Sequence, residues 1–273
     1  MRLSFHRSDL RRVVKAASAN CHRAFVGIEE GKKFVMRGLN IDEKFSSTIS
    51  TVAVMRSTEG APAVPTTLHV IDLEELATAL DNMSGNAIAL DFGEHGIEIS
   101  SEKQEEIQSI NYYDSISYQP WPDHNRVLAD MSKPVVIPAA NFVKIINLSL
   151  QYWDYRDIEK MKLCIKVQKG SNLAQLIYDD ANPMIPRDPG IGISNTMHLQ
   201  MVPESWSAKV NIDYINRICK SLPSKSLLSV SVGKKMPVLE VEVYLNDTDS
   251  IRYTICQIVD TAREYDFEKN GLI

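Results

Sequence analysis

Apolar positions recur along the chain at two spacings, and the two alternate in a fixed order. Alternation over Arg2–His6 predicts a strand. The spacing then lengthens, and Leu10, Val13, Val14 and Ala17 share one face of a helix predicted over Ser8–Asn20. Ser8 is its expected N-cap, and Arg11, Arg12 and Lys15 fall off the apolar face. Strands follow at Ala24–Ile28, Lys33–Arg37 and Ser46–Val54, then a loop over Arg56–Pro65 and a strand at Thr67–Val70. A second helix is predicted over Asp72–Met83, with Leu73, Leu76, Ala77 and Leu80 inward and Asp72 and Glu75 as a capping box. Strands Ala87–Phe92, Gly96–Ser100 and Glu106–Tyr113 complete the run.

Tyr118–Lys133 interrupts the pattern with Pro120, Pro122 and Asp123 and little periodicity, which reads as a connector between domains. The order then begins again. Strand Pro134–Ile137 leads to a helix over Pro138–Trp153, with Pro138 at its first position and Phe142, Ile145, Ile146 and Leu150 inward. Strands Lys162–Gln168 and Leu173–Tyr178, a proline-rich loop Asp179–Asn195, and strands Thr196–Met201 and Ser207–Val210 follow. The fourth helix, Asn211–Leu222, turns Ile212, Ile215, Cys219 and Leu222 inward and Arg217 and Lys220 away. Strands Ser226–Val232, Val238–Leu245 and Ile251–Val259 close the pattern, with Asn246-Asp247 as turn chemistry. Helices therefore start near 8, 71, 138 and 211. Counterparts lie about 130–140 residues apart, an internal duplication at domain scale. Domains are expected at 1–117 and 134–260, joined by the connector 118–133 and followed by a polar tail, 261–273.

Composition narrows the function classes. The chain has 273 residues, 44% of them hydrophobic and 24% charged, enough for two ordinary domains with real cores. A net charge of −5 argues against a protein whose whole surface attracts phosphate, though not against one that sorts its cations onto one face. Cys21, Cys164, Cys219 and Cys256 are widely spaced and suit buried thiols better than a disulfide framework. The strand-like opening Met1-Arg-Leu-Ser-Phe leads to the expectation of no signal peptide, and no apolar run approaches the roughly 20 residues of a membrane span. The six histidines lack metal-ligand spacing, and no phosphate loop, dinucleotide fingerprint or nucleophile elbow is present. Gly190-Ile191-Gly192 lies in a proline loop, and the acid pairs Asp42-Glu43 and Asp179-Asp180 read as solvated surface. No cofactor, no metal and no enzyme activity are expected.

The closing unit, SAKVNIDYINRICKSLPSKSLLSVSVGKKMPVLEVEVYLNDTDSIRYTICQIVD, resembles the DNA sliding clamps of the proliferating cell nuclear antigen type. Those proteins have a strand, a helix, a turn reading Met/Val-Pro and a final hairpin in this order, and the duplicated pattern extends the resemblance over nearly the whole chain. It implies an α+β DNA-clamp fold: two similar domains, each with two helices on curved antiparallel sheets, assembling into a ring around duplex DNA. It implies that Arg11, Arg12, Lys15, Lys144, Arg217 and Lys220 face DNA and attract phosphates without reading bases. The competing reading of these cations is the solvated face of an amphipathic helix.

The resemblance also implies a docking pocket for short client peptides under the connector, at Val127, Leu128, Pro237, Cys256 and Gln257. Where the family commonly reads Ala-Pro-Lys-Ile, this chain has Cys256-Gln257-Ile258-Val259. Ring closure would pair edge strands of neighbouring subunits, here Glu106–Tyr113 with Ile107, Ile110 and Tyr112, and Leu173–Tyr178 with Leu173, Leu176 and Tyr178. A second departure lies in the helix over Asp72–Met83, which carries Asp72, Glu74, Glu75 and Asp81 and no base, so the four helices have no net formal charge. Expected partners are duplex DNA, identical or different ring subunits, a clamp loader, and polymerases or repair factors, without a membrane. The expected location is the nucleus, or the site of viral DNA replication. A subunit of the related heterotrimeric checkpoint clamp and a viral clamp fit the same departures. A protein-interaction scaffold without DNA, or an enzyme with an unrecognised site, are the alternatives of another class.

Overall fold

The computed structural model describes residues 2–29, 33–42, 47–56, 69–101, 106–113, 130–152, 162–170, 173–179, 194–198 and 202–258. Among them the first round of elements is β1 (Arg2–His6), α1 (Arg7–Ser18), β2 (Arg23–Glu29), β3 (Lys33–Asp42), β4 (Ser47–Arg56), β5 (His69–Asp72), α2 (Leu73–Asn82), β6 (Ala87–Phe92), β7 (Gly96–Ser101) and β8 (Ile107–Asn111). The second is β9 (Val135–Pro138), α3 (Ala139–Tyr152), β10 (Lys162–Val167), β11 (Leu173–Asp179), β12 (Ser194–His198), β13 (Trp206–Asn211), α4 (Ile212–Ser221), β14 (Leu227–Val232), β15 (Val238–Tyr244) and β16 (Ser250–Cys256). The two rounds have the same order, element for element. Strand pairing repeats as well: β1-β6-β7-β8 corresponds to β9-β14-β15-β16, and β5-β2-β3-β4 to β13-β10-β11-β12. The expected connector as far as Ala129, residues 57–68 and 180–193, and the expected tail from Val259 lie outside the described residues.

The chain divides into two compact units, one of residues 1–40, 50–121 and 244–252, the other of residues 41–49, 122–243 and 253–273. In the first, α1 packs beside α2. Their apolar faces (Leu10, Val13, Val14, Leu73, Leu76, Leu80) are fully buried, as are Leu3, Phe5, Ile88, Leu90, Ile97 and Ile99 of the strands. Phe34 links the layers, its ring 5.6 Å from Phe5 and 6.0 Å from Phe92. In the second, α3 packs beside α4. Phe142, Ile145, Ile146, Ile212, Ile215 and Ile218 share a core with Leu163, Ile165, Val210, Leu228, Val230 and Val241.

Two helix starts differ from the sequence expectation. β1 runs into α1 without a loop, so His6, not Ser8, occupies the N-cap, and its side chain makes no capping bond. The freed Arg7 N–H donates instead to Asn86 O at 2.8 Å. Pro138 is the last residue of β9, and α3 begins at Ala139, whose N–H donates to Ser226 O. The other two N-caps form: Asp72 Oδ1 accepts from the N–H of Glu74 (2.8 Å) and Glu75 (3.1 Å), and Asn211 Oδ1 from that of Asp213 (2.8 Å), while the Glu75 carboxylate, expected to complete a capping box, accepts from Tyr113 OH instead.

The β15–β16 turn is locked by its own polar side chains. Asn246 Oδ1 accepts from the N–H of Thr248 and Asp249, each at 2.8 Å. The buried Asp249 carboxylate accepts from Asn246 Nδ2 (2.6 Å), Thr248 Oγ1 (3.0 Å) and, at the end of β4, Arg56 N (3.1 Å). Asp249→Ala strands these donors and should cost about 1–3 kcal/mol in urea unfolding. Asp247→Ala, on the exposed side of the same turn, should change stability by less than about 0.5 kcal/mol; equal effects would contradict the lock.

Candidate functional site

On α1, burial of Leu10, Val13, Val14 and Ala17 leaves Arg11 and Lys15 exposed and Arg12 half-buried. Arg11 is not alone there. Its Nε donates to Asp81 Oδ1 of α2, a bond that raises the arginine pKa further above its ordinary value. Arg12 Nη1 lies 3.7 Å from Asp9 Oδ1, three residues back on the same helix. Lys15 has no ion pair among the described residues.

The other acids of α2 have local work. Asp72 caps the helix, Glu74 Oε1 meets His22 Nδ1 at 3.3 Å, and Glu75 Oε1 accepts from Tyr113 OH at 3.4 Å. Arg23 stacks its guanidinium 4.1 Å above the Tyr113 ring. The helix that sequence reading flagged as acidic therefore spends three carboxylates near its own N-terminus and the fourth on Arg11.

In the second unit, Lys144 is exposed on α3. Helix α4 is buried more completely than its periodicity suggests: Asp213, Tyr214, Asn216 and Ile218 are enclosed along with the expected stripe. From Ile212 to Lys220 the exposed positions are Arg217 and Lys220. Arg217 Nη2 pairs with Asp213 Oδ2 at 2.6 Å, and the Asp213 side chain is only 12% exposed. Lys220, like Lys144, has no ion pair among the described residues.

The expected docking region is described in part. Val127 and Leu128 lie outside the described residues, but the end of the connector is anchored. Ser132 N–H donates to Val232 O (2.7 Å), and Ser132 Oγ accepts from Val232 N–H (3.0 Å). Lys234 N–H donates to Asp130 O, and Lys235 Nζ lies 3.4 Å from the Asp130 carboxylate. Glu204 accepts from Lys133 N–H (2.6 Å) and pairs with Lys234 Nζ (3.4 Å). The turn itself requires glycine, because a Cβ on Gly233 would stand 2.4 Å from Met236 O.

Pro237 O accepts from Gln257 N–H at 2.7 Å, and Gln257 Nε2 donates to Val238 O at 3.1 Å, which brings Pro237, Gln257 and the half-buried Cys256 together. Sequence reading missed Asp130, Ser132 and Glu204; Lys234-Lys235 just before Met236-Pro237 was the available signal. Two thiols are inert by burial, Cys219 pushed up to about 12 and Cys21 to about 11. Among the described residues no cluster of three or more His, Cys, Asp or Glu could hold a metal ion.

Sheet ends revise the subunit-interface expectation. Among the described residues β8 ends its sheet: Ile107 is 61% exposed, Ile110 is buried in the core, and the Tyr112 ring just beyond stacks on His69 at 4.0 Å. β11, which carries Leu173, Leu176 and Tyr178, is not an edge. It pairs with β10 on one side and β12 on the other, so both of its ladders are filled. Among the described residues the end of that sheet is β12, and the interface expectation for Leu173, Leu176 and Tyr178 is corrected accordingly.

Ser132→Ala should remove the acceptor for Val232 N–H and loosen the connector's end. Hydrogen exchange at Val232 is expected to quicken by roughly fivefold or more, the counterpart of about 1 kcal/mol. Unchanged exchange there would mean that Ser132 Oγ does not anchor the connector.

No protein-family model matches the chain, and no curated protein matches it by sequence. Solved structures do match. The A. fulgidus PCNA bound to the C-terminal region of FEN-1 superposes with a TM-score of 0.70 at 13% identity, covering 95% of this chain and 99% of that one. The Proliferating Cellular Nuclear Antigen of Entamoeba histolytica gives 0.67 at 15% identity, covering 94% and 98%. The DNA polymerase III beta subunit of Thermotoga maritima gives 0.66 at 12% identity, covering 96% of this chain and 66% of that one. The duplicated strand–helix order and these superpositions together give the chain the α+β fold of the DNA sliding clamps.

Proposed function

We propose that this chain is a subunit of a DNA sliding clamp, a non-enzymatic tether that surrounds duplex DNA and holds polymerases or repair factors on it. One observation carries the reading: the unequal fate of equivalent strands. β4 is the neighbour of β16 in a common sheet. Their counterparts by chain order, β12 and β8, each end a sheet among the described residues. An edge strand with free donors and acceptors is a template for pairing. If β12 of one subunit pairs with β8 of the next as β4 pairs with β16, the contact is head-to-tail and generates a ring when the rotation closes.

Encirclement makes weak, sequence-independent phosphate contacts sufficient, because release requires the ring to open. Lys15, Lys144 and Lys220, with Arg11, Arg12 and Arg217, are the proposed phosphate-facing cations. Pro237, Cys256 and Gln257, with Val127 and Leu128 of the connector, are the proposed client-peptide site, supported by the FEN-1 segment bound to the A. fulgidus relative. A clamp loader and a nuclear or viral replication site belong to the same proposal. The runner-up, a heterotrimeric checkpoint-type clamp, is favoured by the ion-paired arginines and by Cys256-Gln257 at the docking position.

The edge offers a clean test. Tyr112 N–H donates to His95 O, so in this register Gln108 and Ile110 turn their backbone groups to β7, and Ile107, Ser109 and Asn111 turn theirs to the open side. Ser109→Pro therefore removes an outward N–H while sparing the β7 ladder. Native mass should show the wild type assembled, alone for a homo-oligomer or after addition of partner chains for a heterotrimer. Ser109→Pro should stay monomeric in both settings with unchanged circular dichroism. Assembly of Ser109→Pro equal to that of the wild type would overturn the edge pairing.

A further inference from the structure

The six proposed phosphate-facing cations divide by residue type. Each of the three arginines is held by an aspartate: Arg11 by Asp81, Arg12 by Asp9 and Arg217 by Asp213. None of the three lysines has an ion pair among the described residues. Arginine is the side chain best shaped to grip phosphate through two parallel N–H bonds, and lysine a point charge that lets go easily.

The three aspartates are not equivalent. Asp213 is nearly enclosed, so drawing Arg217 away would leave a buried charge uncompensated; that pair is fixed. Asp9 and Arg12 sit on one helix at 3.7 Å, too long for a hydrogen bond, and leave the guanidinium loosely held. Asp81 differs from both. It reaches from α2 across to α1, bonds Arg11 directly, and both side chains are about half exposed, 54% for Arg11 and 48% for Asp81. A pair so exposed is weak enough for an incoming anion to displace.

We propose that Asp81 is an intramolecular competitor for DNA phosphate. In the free protein it occupies Arg11, and a phosphate must displace it to gain that contact. The proposal rests on the sliding-clamp reading and adds to it a regulator of grip. With Asp81 present, the α1–α2 face meets DNA chiefly through Lys15 and the loosely held Arg12, and the residence of each phosphate contact stays short. Sliding needs that, because a ring held by topology gains nothing from tight local contacts. Sequence alone could not suggest the pairing, since residues 11 and 81 lie on different helices.

The experiment measures binding of the assembled, full-length protein to random-sequence duplex DNA over a salt series, for the wild type, Asp81→Asn, Arg11→Gln and the double variant. Thermal unfolding checks that each is folded, which exposed positions should allow. Asp81→Asn should bind about three- to tenfold tighter at low salt, and the slope of log affinity against log salt should steepen by about 0.9, one extra phosphate contact. In the Arg11→Gln background the same substitution should gain little, and the slope should not steepen. Equal gains in both backgrounds would overturn the proposal and leave the DNA-facing reading standing, since Asp81 would then be an ordinary surface charge. Identical binding by all four proteins would overturn both, because α1 would not meet DNA.

Discussion

A strand at the end of a sheet carries a row of backbone donors and acceptors with no protein partner, and the organisation of this chain turns on where such rows are filled. Two rounds of the same elements give four sheets' worth of strand order, each repeating its counterpart. β4 has a neighbour in β16, whereas among the described residues β8 and β12 each lead their sheet to an end. Natural proteins blunt exposed edges with charge, proline or distortion. β8 instead reads Ile107-Gln108-Ser109-Ile110-Asn111, short and uncharged, with Ile107 largely in solvent. That composition suits a strand awaiting a partner, and it is the physical basis on which ring assembly is proposed.

The helices answer to a second constraint. Each is anchored by an apolar stripe, which leaves only a narrow face for charge. On α4 that face has shrunk to Arg217 and Lys220. What charge remains is largely balanced, with aspartates on the arginines and local partners for the acids of α2. A strongly basic surface would bind DNA by affinity alone. A balanced one suits the proposed clamp, in which closure rather than attraction would hold the DNA.

Much of this fold was legible in the sequence because its signals are local. The stripe Leu10-Val13-Val14-Ala17, the caps Asp72 and Asn211, and the alternation of β15 and β16 need no tertiary information. The start of α1 misled because an N-cap hydroxyl is unnecessary when Asn86 O takes the freed N–H. The edge role was given to Leu173–Tyr178 by resemblance, and that β12, Ser-Asn-Thr-Met-His, lies outside it is a strand order that alternation along the chain does not encode. Nothing in the spacing of residues 11 and 81, or of 132 and 232, announces that they meet. Ion pairs and anchors between distant elements are set by packing, which periodicity does not encode.

The central claim is topological, so the decisive measurement changes the topology of the DNA and nothing else. The assembled ring, loaded on closed circular duplex with its loader or partner chains, is challenged with rising salt before and after a single restriction cut. Retention on the closed circle at salt concentrations that release the protein within seconds of linearisation is the result this account predicts. Equal retention on circular and linear DNA would contradict it, because the protein would then be held by contacts alone.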